Sequence, residues 1–196
     1  MSFMQVQNNI FISLDEFEKI QSNYDGKAEY YNGQILFSSR TSMAHNRIVM
    51  GISSMLYNFF KGSKCTPYSE QIEVIFKNDS EIYKFLPDVF VMCDDADKKG
   101  ESFISVPKIV FEVVSPEYSD HDYFIKANIY QRFGVLEYNI VEQNGMVTQY
   151  VLKDGAYRTP KVLESTDEYI SFVFPELKFN LKEIFLKTDY DNNQLS

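Results

Sequence analysis

Tryptophan is absent from this 196-residue chain, cysteine occurs twice, and glycine and proline supply only 8 and 6 positions. So little of either turn former excludes a collagen-like or low-complexity chain. Cys65 and Cys93 stand 28 positions apart, with no C-x-x-C spacing and no histidine companion. That pattern predicts neither a disulfide framework nor a structural zinc site, and both residues read as small core or near-surface thiols. No apolar run approaches the roughly 18 residues that span a bilayer. The opening MSFMQVQNNIFISLDEF lacks the basic start and long apolar stretch of a secretory signal, so the expectation is a cytoplasmic protein without a membrane partner. Basic residues are also scarce, 19 against 28 acidic ones for a formal charge of −9, which opposes loose binding to nucleic acid or anionic lipid. Large apolar residues, in contrast, are plentiful. With 17 Phe and 14 Tyr the chain carries more area to bury than a disordered one could, and its length lets roughly two-thirds of the unfolded surface leave water.

The acidity is uneven. From Tyr30 to Ser69 there is no Asp or Glu, while Arg40, His45, Arg47, Lys61 and Lys64 all fall there. Such a stretch is either a candidate face for a polyanion or a segment containing a well-buried helix. No repeat, low-complexity tract or Pro/Gly/Ser-rich linker divides the sequence. The reading is one domain over 1–187 and a flexible polar tail, TDYDNNQLS, over 188–196.

Local signals place the elements. Ser13 followed by Glu16 forms a capping box for a short amphipathic helix bearing Leu14, Phe17 and Ile20. Asn32-Gly33 suits a tight hairpin turn. Ser42 caps a longer helix whose apolar face is Ile48, Ile52, Met55, Leu56 and Phe59. After Gly62 and Pro67 the period changes to that of strands: QIEVIF with Ile72, Val74 and Phe76 on one face, then LPDVFVMC and PKIVFEVV, each opened by a proline. A helix over about Asp120 to Phe133 ends at Gly134. LEYNIVE and MVTQYVLKDGAYR continue as a meander, and EYISFVF and a short helix near Leu181 to Leu186 complete a mixed sheet with helices packed on it.

Glu112 is the anomaly. It sits inside IVFEVV, where a bare carboxylate costs several kcal/mol unless it is paired, protonated or metal-bound, or unless its face is a sheet edge or solvated side. Alternation puts Val110, Glu112 and Val114 on one face. Asp88, after Pro87 at the head of another interior strand, offers a partner; its alternative is a simple turn residue. If the two strands neighbour one another, two carboxylates converge, and a hard divalent ion such as magnesium or manganese is the simplest remedy for their repulsion. Lys126 shares a helical stripe with Asp122 and Tyr130, either to act near that ion or to make an ordinary surface pair with Asp122. Taken alone, Glu29 is a hairpin charge and His45 a helix-end imidazole.

The segments AEYYNGQI, AHNRI, PDVFVM, IVFEVVSPEYSDHDYFIKANIYQRFGVLEYNIVE and FPELKFNLKEIF together resemble the Uma-two family of restriction endonucleases, a branch of the PD-(D/E)XK superfamily. The likeness runs from about Ser13 to Phe185. Its most demanding part is Glu112 to Pro116 followed by Asp122, Lys126, Tyr130, Gly134, Val135, Glu137 and Tyr138. The resemblance implies an α/β (α+β) fold, a restriction-endonuclease-like mixed β-sheet flanked by helices with additional antiparallel strands. It also implies a Mg2+- or Mn2+-dependent DNA endonuclease in which Asp88, Glu112 and the backbone carbonyl of Val113 hold the ion and Glu29 adds an acidic contact. The superfamily lysine position is Val114 here, and Lys126 is the candidate replacement. His45, Arg40 and Arg47 would contact backbone phosphate. Three further departures are Gln34 after the hairpin glycine, Asn139 where a tryptophan usually follows E-Y, and Glu142 in place of Asp. Symmetric cutting of DNA favours a homodimer, with the strands after Asn144 as a candidate surface.

Two rival readings come from other classes. A catalytically inactive nuclease-fold module that binds DNA or protein draws on the displaced lysine, on Gln34 and on the net acidity. A glycosidase-like carboxylate pair needs an open sugar cleft, yet the Tyr and Phe residues sit at core-forming periods.

Overall fold

The computed structural model describes residues 11–38, 41–114 and 121–185. Helix α1 (Leu14–Asn23) opens with the expected capping box: Ser13 Oγ accepts from the Glu16 N–H, and Glu16 reaches back to the Ser13 N–H at 2.9 Å. Strands β1 (Lys27–Tyr31) and β2 (Gln34–Ser38) form a hairpin across Asn32 and Gly33, both at positive φ as that turn requires. Helix α2 (Met43–Phe60) starts at the Ser42 cap. It buries Ile48, Ile52 and Leu56 as its period predicts, but Phe60 rather than Phe59 turns inward.

Then follow β3 (Cys65–Ser69), β4 (Val74–Lys77), β5 (Ile82–Phe85), β6 (Val89–Cys93), β7 (Lys98–Lys99), β8 (Ser102–Phe103) and β9 (Ile109–Val114). A π-helical turn (His121–Lys126) leads into α3 (Ala127–Phe133), which Gly134 ends in the left-handed region. The predicted start of this helix at Asp120 lies outside the described residues. The chain continues as β10 (Glu137–Glu142), β11 (Val147–Lys153), β12 (Ala156–Tyr157), β13 (Lys161–Leu163), β14 (Glu168–Ile170), β15 (Lys178–Asn180) and a 3-10 turn (Leu181–Glu183). EYISFVF is therefore a strand only over its first part. Leu186 and the tail from Thr188 lie outside the described residues.

One sheet runs β12-β11-β10-β9-β6-β3, with β13 beside β11 and with β9 and β10 parallel around the π/α3 crossover. A second runs β2-β1-β5-β4-β8-β7. Alternation on β9 separates two cores. Ile109, Phe111 and Val113 pack with α2 residues Ile48, Ile52 and Leu56, whereas Val110 and Val114 pack with α3 and with Val74, Phe76 and Phe85 of the second sheet. The chain passes from one sheet to the other at Leu86-Pro87-Asp88, where proline fixes an extended corner between β5 and β6. This architecture is mixed α+β, as the sequence implies.

The cysteines correct the sequence reading. Cys65 and Cys93 form a disulfide. Strand β3 sets them directly opposite one another on β6, and the Asp94 N–H donating to Lys64 O makes them a non-hydrogen-bonded pair, the kind whose Cα atoms approach most closely. Closing a loop of that length stabilises the fold by about 3–4 kcal/mol on the chain-entropy estimate. Pro67 explains why β3 was not legible as a strand: it lies at the sheet edge, where its missing N–H costs no ladder bond.

Candidate active site

The site is built at the corner between the sheets. Strand β9 pairs with β6 in the register Val89–Phe111, which sets Asp88 level with Glu112 and carries β9 beyond the head of β6. The Val113 N–H, past the last rung of that ladder, donates instead to Asp88 Oδ2 at 2.8 Å, and the Asp88 N–H leans toward Glu112 Oε2 at 3.4 Å. Both carboxylates are buried, Glu112 to 2% exposure. The sheet-edge alternative for Glu112 is thus excluded, because β10 flanks it on its other side.

The crossover supplies the cation. The π turn and α3 hold Asp122, Lys126 and Tyr130 on one stripe facing the strand. Lys126 Nζ lies 2.9 Å from Glu112 Oε1, 3.2 Å from Glu29 Oε2 and 3.5 Å from Asp122 Oδ1. Tyr130 Oη donates to the same Glu112 oxygen at 2.7 Å. At 4% exposure Lys126 is no surface pair. Glu29 is fixed in turn by the Leu86 N–H at 2.9 Å and by the Tyr31 hydroxyl at 2.9 Å, so the corner itself orients it.

On the other side, Lys27 Nζ meets Asp88 Oδ1 at 2.7 Å, and His45 Nε2 meets Asp88 Oδ2 at 3.1 Å. Among the described residues, His45 Nδ1 is buried without a hydrogen-bond partner. Burial works against the charge on Asp88, but the Lys27 ammonium and His45 outweigh it and hold that carboxyl well below its ordinary range. Glu112 goes the other way: burial, and then the charge of Asp88, outweigh Lys126 and push it up to about 7. Burial also raises Asp122, with Glu29 and Asp88 adding to the effect. Lys126 loses some stability as a cation to burial, yet Glu112 and Glu29 hold it well above the usual lysine value.

The structure therefore brings Glu29, Asp88, Glu112, the Val113 backbone and Lys126 together. His45 joins them from α2, its imidazole turned inward onto Asp88 rather than presented to solvent. Arg47 lies half-buried on α2, and Arg40 falls outside the described residues. Lys27 is the residue that sequence reasoning missed, because a lysine opening a hairpin carries no signal of a partner 61 positions away. Gln34 is exposed at the hairpin turn. Asn139 is buried, its amide directed to Val110 O and Tyr169 Oη at 3.4 Å, which places this departure in the core rather than on a partner surface. Glu142 accepts from Tyr123 and Asn144 at 2.7 and 2.8 Å.

Four carboxylates (Glu29, Asp88, Glu112, Asp122) thus share one buried space with two ammonium groups. The negative surplus, the raised Glu112 and the hard oxygen donors fit a divalent cation of the magnesium or manganese kind. Among the described residues, no three His, Cys, Asp or Glu side chains gather closely enough to hold an ion, so Asp88 and Glu112 would have to serve with other donors. Backbone oxygen would complete the donor set. Among the described residues no helix is long and apolar enough to cross a membrane.

A family model described as "Putative restriction endonuclease" matches residues 14–182. An "Uncharacterized protein slr1290" of Synechocystis sp. is 29% identical over 126 residues, covering 64% of this chain and 65% of that protein's length. A crystal structure from Anabaena variabilis, described as a "putative nuclease belonging to DUF820", superposes with a TM-score of 0.73 at 18% identity, over 89% of this chain and 97% of that one. At that identity the superposition establishes a shared fold.

Proposed function

The chain belongs to the Uma2 restriction-endonuclease family, and from that membership and the buried carboxylate pair we propose that it is a metal-dependent endonuclease hydrolysing phosphodiester bonds in DNA. The observation that carries this reading is the in-register burial of Asp88 against Glu112, in a space where four carboxylates meet two ammonium groups. Asp88, Glu112 and the Val113 carbonyl would hold a magnesium or manganese ion. Such an ion, when bound, polarises the scissile phosphate and lowers the pKa of a water.

The chain's own groups do the rest. Lys126, reaching in from the π turn, orients the attacking water or offsets charge as it develops on the phosphoryl oxygens. This lysine takes the place that Val114 leaves empty in the strand. Tyr130 fixes the Glu112 rotamer through its 2.7 Å bond, and Glu29 anchors the Lys126 ammonium. His45 positions the Asp88 carboxylate. Arg40 and Arg47 belong to the acid-free stretch and would meet backbone phosphate.

A non-catalytic nuclease-fold module is the second reading, favoured by the ammonium groups that already sit against both acids. Calorimetric titration with Mn2+ separates the two. Wild type should bind the ion in the micromolar range, and Asp88→Asn should lose that binding while remaining folded. A wild type that takes up no divalent ion favours the module.

A further inference from the structure

Asp88 uses its two oxygens differently. Oδ2 accepts from the Val113 N–H and meets His45, whereas Lys27 takes Oδ1 at 2.7 Å. The side chains of Lys126 and Glu112 are 6% and 3% exposed and that of Lys27 is 23% exposed, so Lys27 is the least enclosed of the three. Lys27 is also the first residue of β1, paired with Ser38 at the open end of the hairpin, and its four-carbon stem can swing without moving the strand. Oδ2 already takes the Val113 N–H and His45, so a divalent ion would approach Asp88 at Oδ1, where its charge and the Lys27 ammonium repel one another across a few ångströms.

Resting on the nuclease reading above, we propose that Lys27 is an ion-displaced positioning residue. It neutralises buried Asp88 while no divalent ion is present, releases Oδ1 when one enters, and swings away from the carboxylate. The corner between the sheets then stays folded without metal, although it holds more acids than bases. Lys126 has no such freedom: three carboxylates surround it, and it stays in place.

The displacement is read directly by NMR of wild-type protein labelled with [15N]lysine and titrated with Mg2+. The Lys27 ammonium resonance should shift as its ion pair breaks, with that of Lys126 retained. In parallel, Mn2+ calorimetry should find Lys27→Met binding the ion roughly tenfold more tightly or better, since the competing charge is gone. Lys27→Arg, which keeps the charge, should return toward the wild-type affinity and guards against a Met variant that fails to fold. A Lys27 resonance unmoved at saturating Mg2+ overturns the inference while leaving ion binding intact. So does a Lys27→Met protein that binds Mn2+ no better than wild type. A wild type that binds neither ion removes this inference and the nuclease reading together.

Discussion

Replacing Glu112 with glutamine should cut metal-dependent cleavage of plasmid and short duplex DNA by about three orders of magnitude or more, the scale on which one preorganised electrostatic stabiliser counts. The fold should survive the change. Burial already pushes this carboxyl up to about 7, so near neutrality the interior accommodates its uncharged form. Glutamine keeps the volume and one acceptor oxygen for the Tyr130 hydroxyl, and Lys126 keeps Glu29 at 3.2 Å. Melting temperature should therefore move by only a few degrees while cleavage in Mg2+ or Mn2+ disappears. Equal nicking by both proteins, insensitive to chelator, would contradict the assignment.

Lys126→Met has a different signature. Removing the ammonium strands Glu29, Glu112 and Asp122 in a buried space, and breaking one side of a buried charge cluster costs roughly 3–5 kcal/mol. For a domain of this size that is a fall in melting temperature of about 10 °C. Millimolar Mn2+ should recover part of the loss, because the acid surplus it meets is larger than in wild type. Thermal melts with and without the ion check both points. A variant that melts with wild type would mean that Lys126 does not neutralise these acids, and its catalytic role would lose its footing. Cleavage by the variant should be lost even where the fold is rescued, which separates positioning from stability.

Much of this site was legible because it violates local rules. A glutamate inside IVFEVV and an aspartate after proline at the head of PDVFVM are expensive placements, and alternation alone assigns Glu112 the face opposite Phe111. The Asp122, Lys126, Tyr130 stripe follows from helical spacing, and the resemblance to a nuclease family gives the strands a shared destination. The cap at Ser13 and the Asn32-Gly33 turn are equally local, and both are present.

What stayed hidden depends on tertiary register. Cys65 and Cys93 have no motif spacing; they become partners only because β3 lies antiparallel on β6, and Pro67 disguised that strand. Strand β5, IYKF, carries a lysine that is buried between Glu18 and Glu73 rather than turned to water, which blurs its alternation. Glu137 reads as one position of a motif, yet it is a fully buried acceptor for Gln149, Tyr169, Ser171 and two backbone N–H groups. Lys27 and the inward turn of His45 belong to the same class, since nothing near them in sequence points to Asp88. The π turn, too, has no sequence signature, although it presents Asp122 and Lys126 to the acids.

The claim beneath these expectations is that Asp88 and Glu112 meet in order to share a doubly charged ion. An anomalous-scattering map from a manganese-soaked crystal examines it most directly. A single strong peak within bonding distance of both carboxylates, with Lys27 turned away from Asp88, is the expected result. A saturated soak with density only at surface acids, and Lys27 still on Asp88, would refute it.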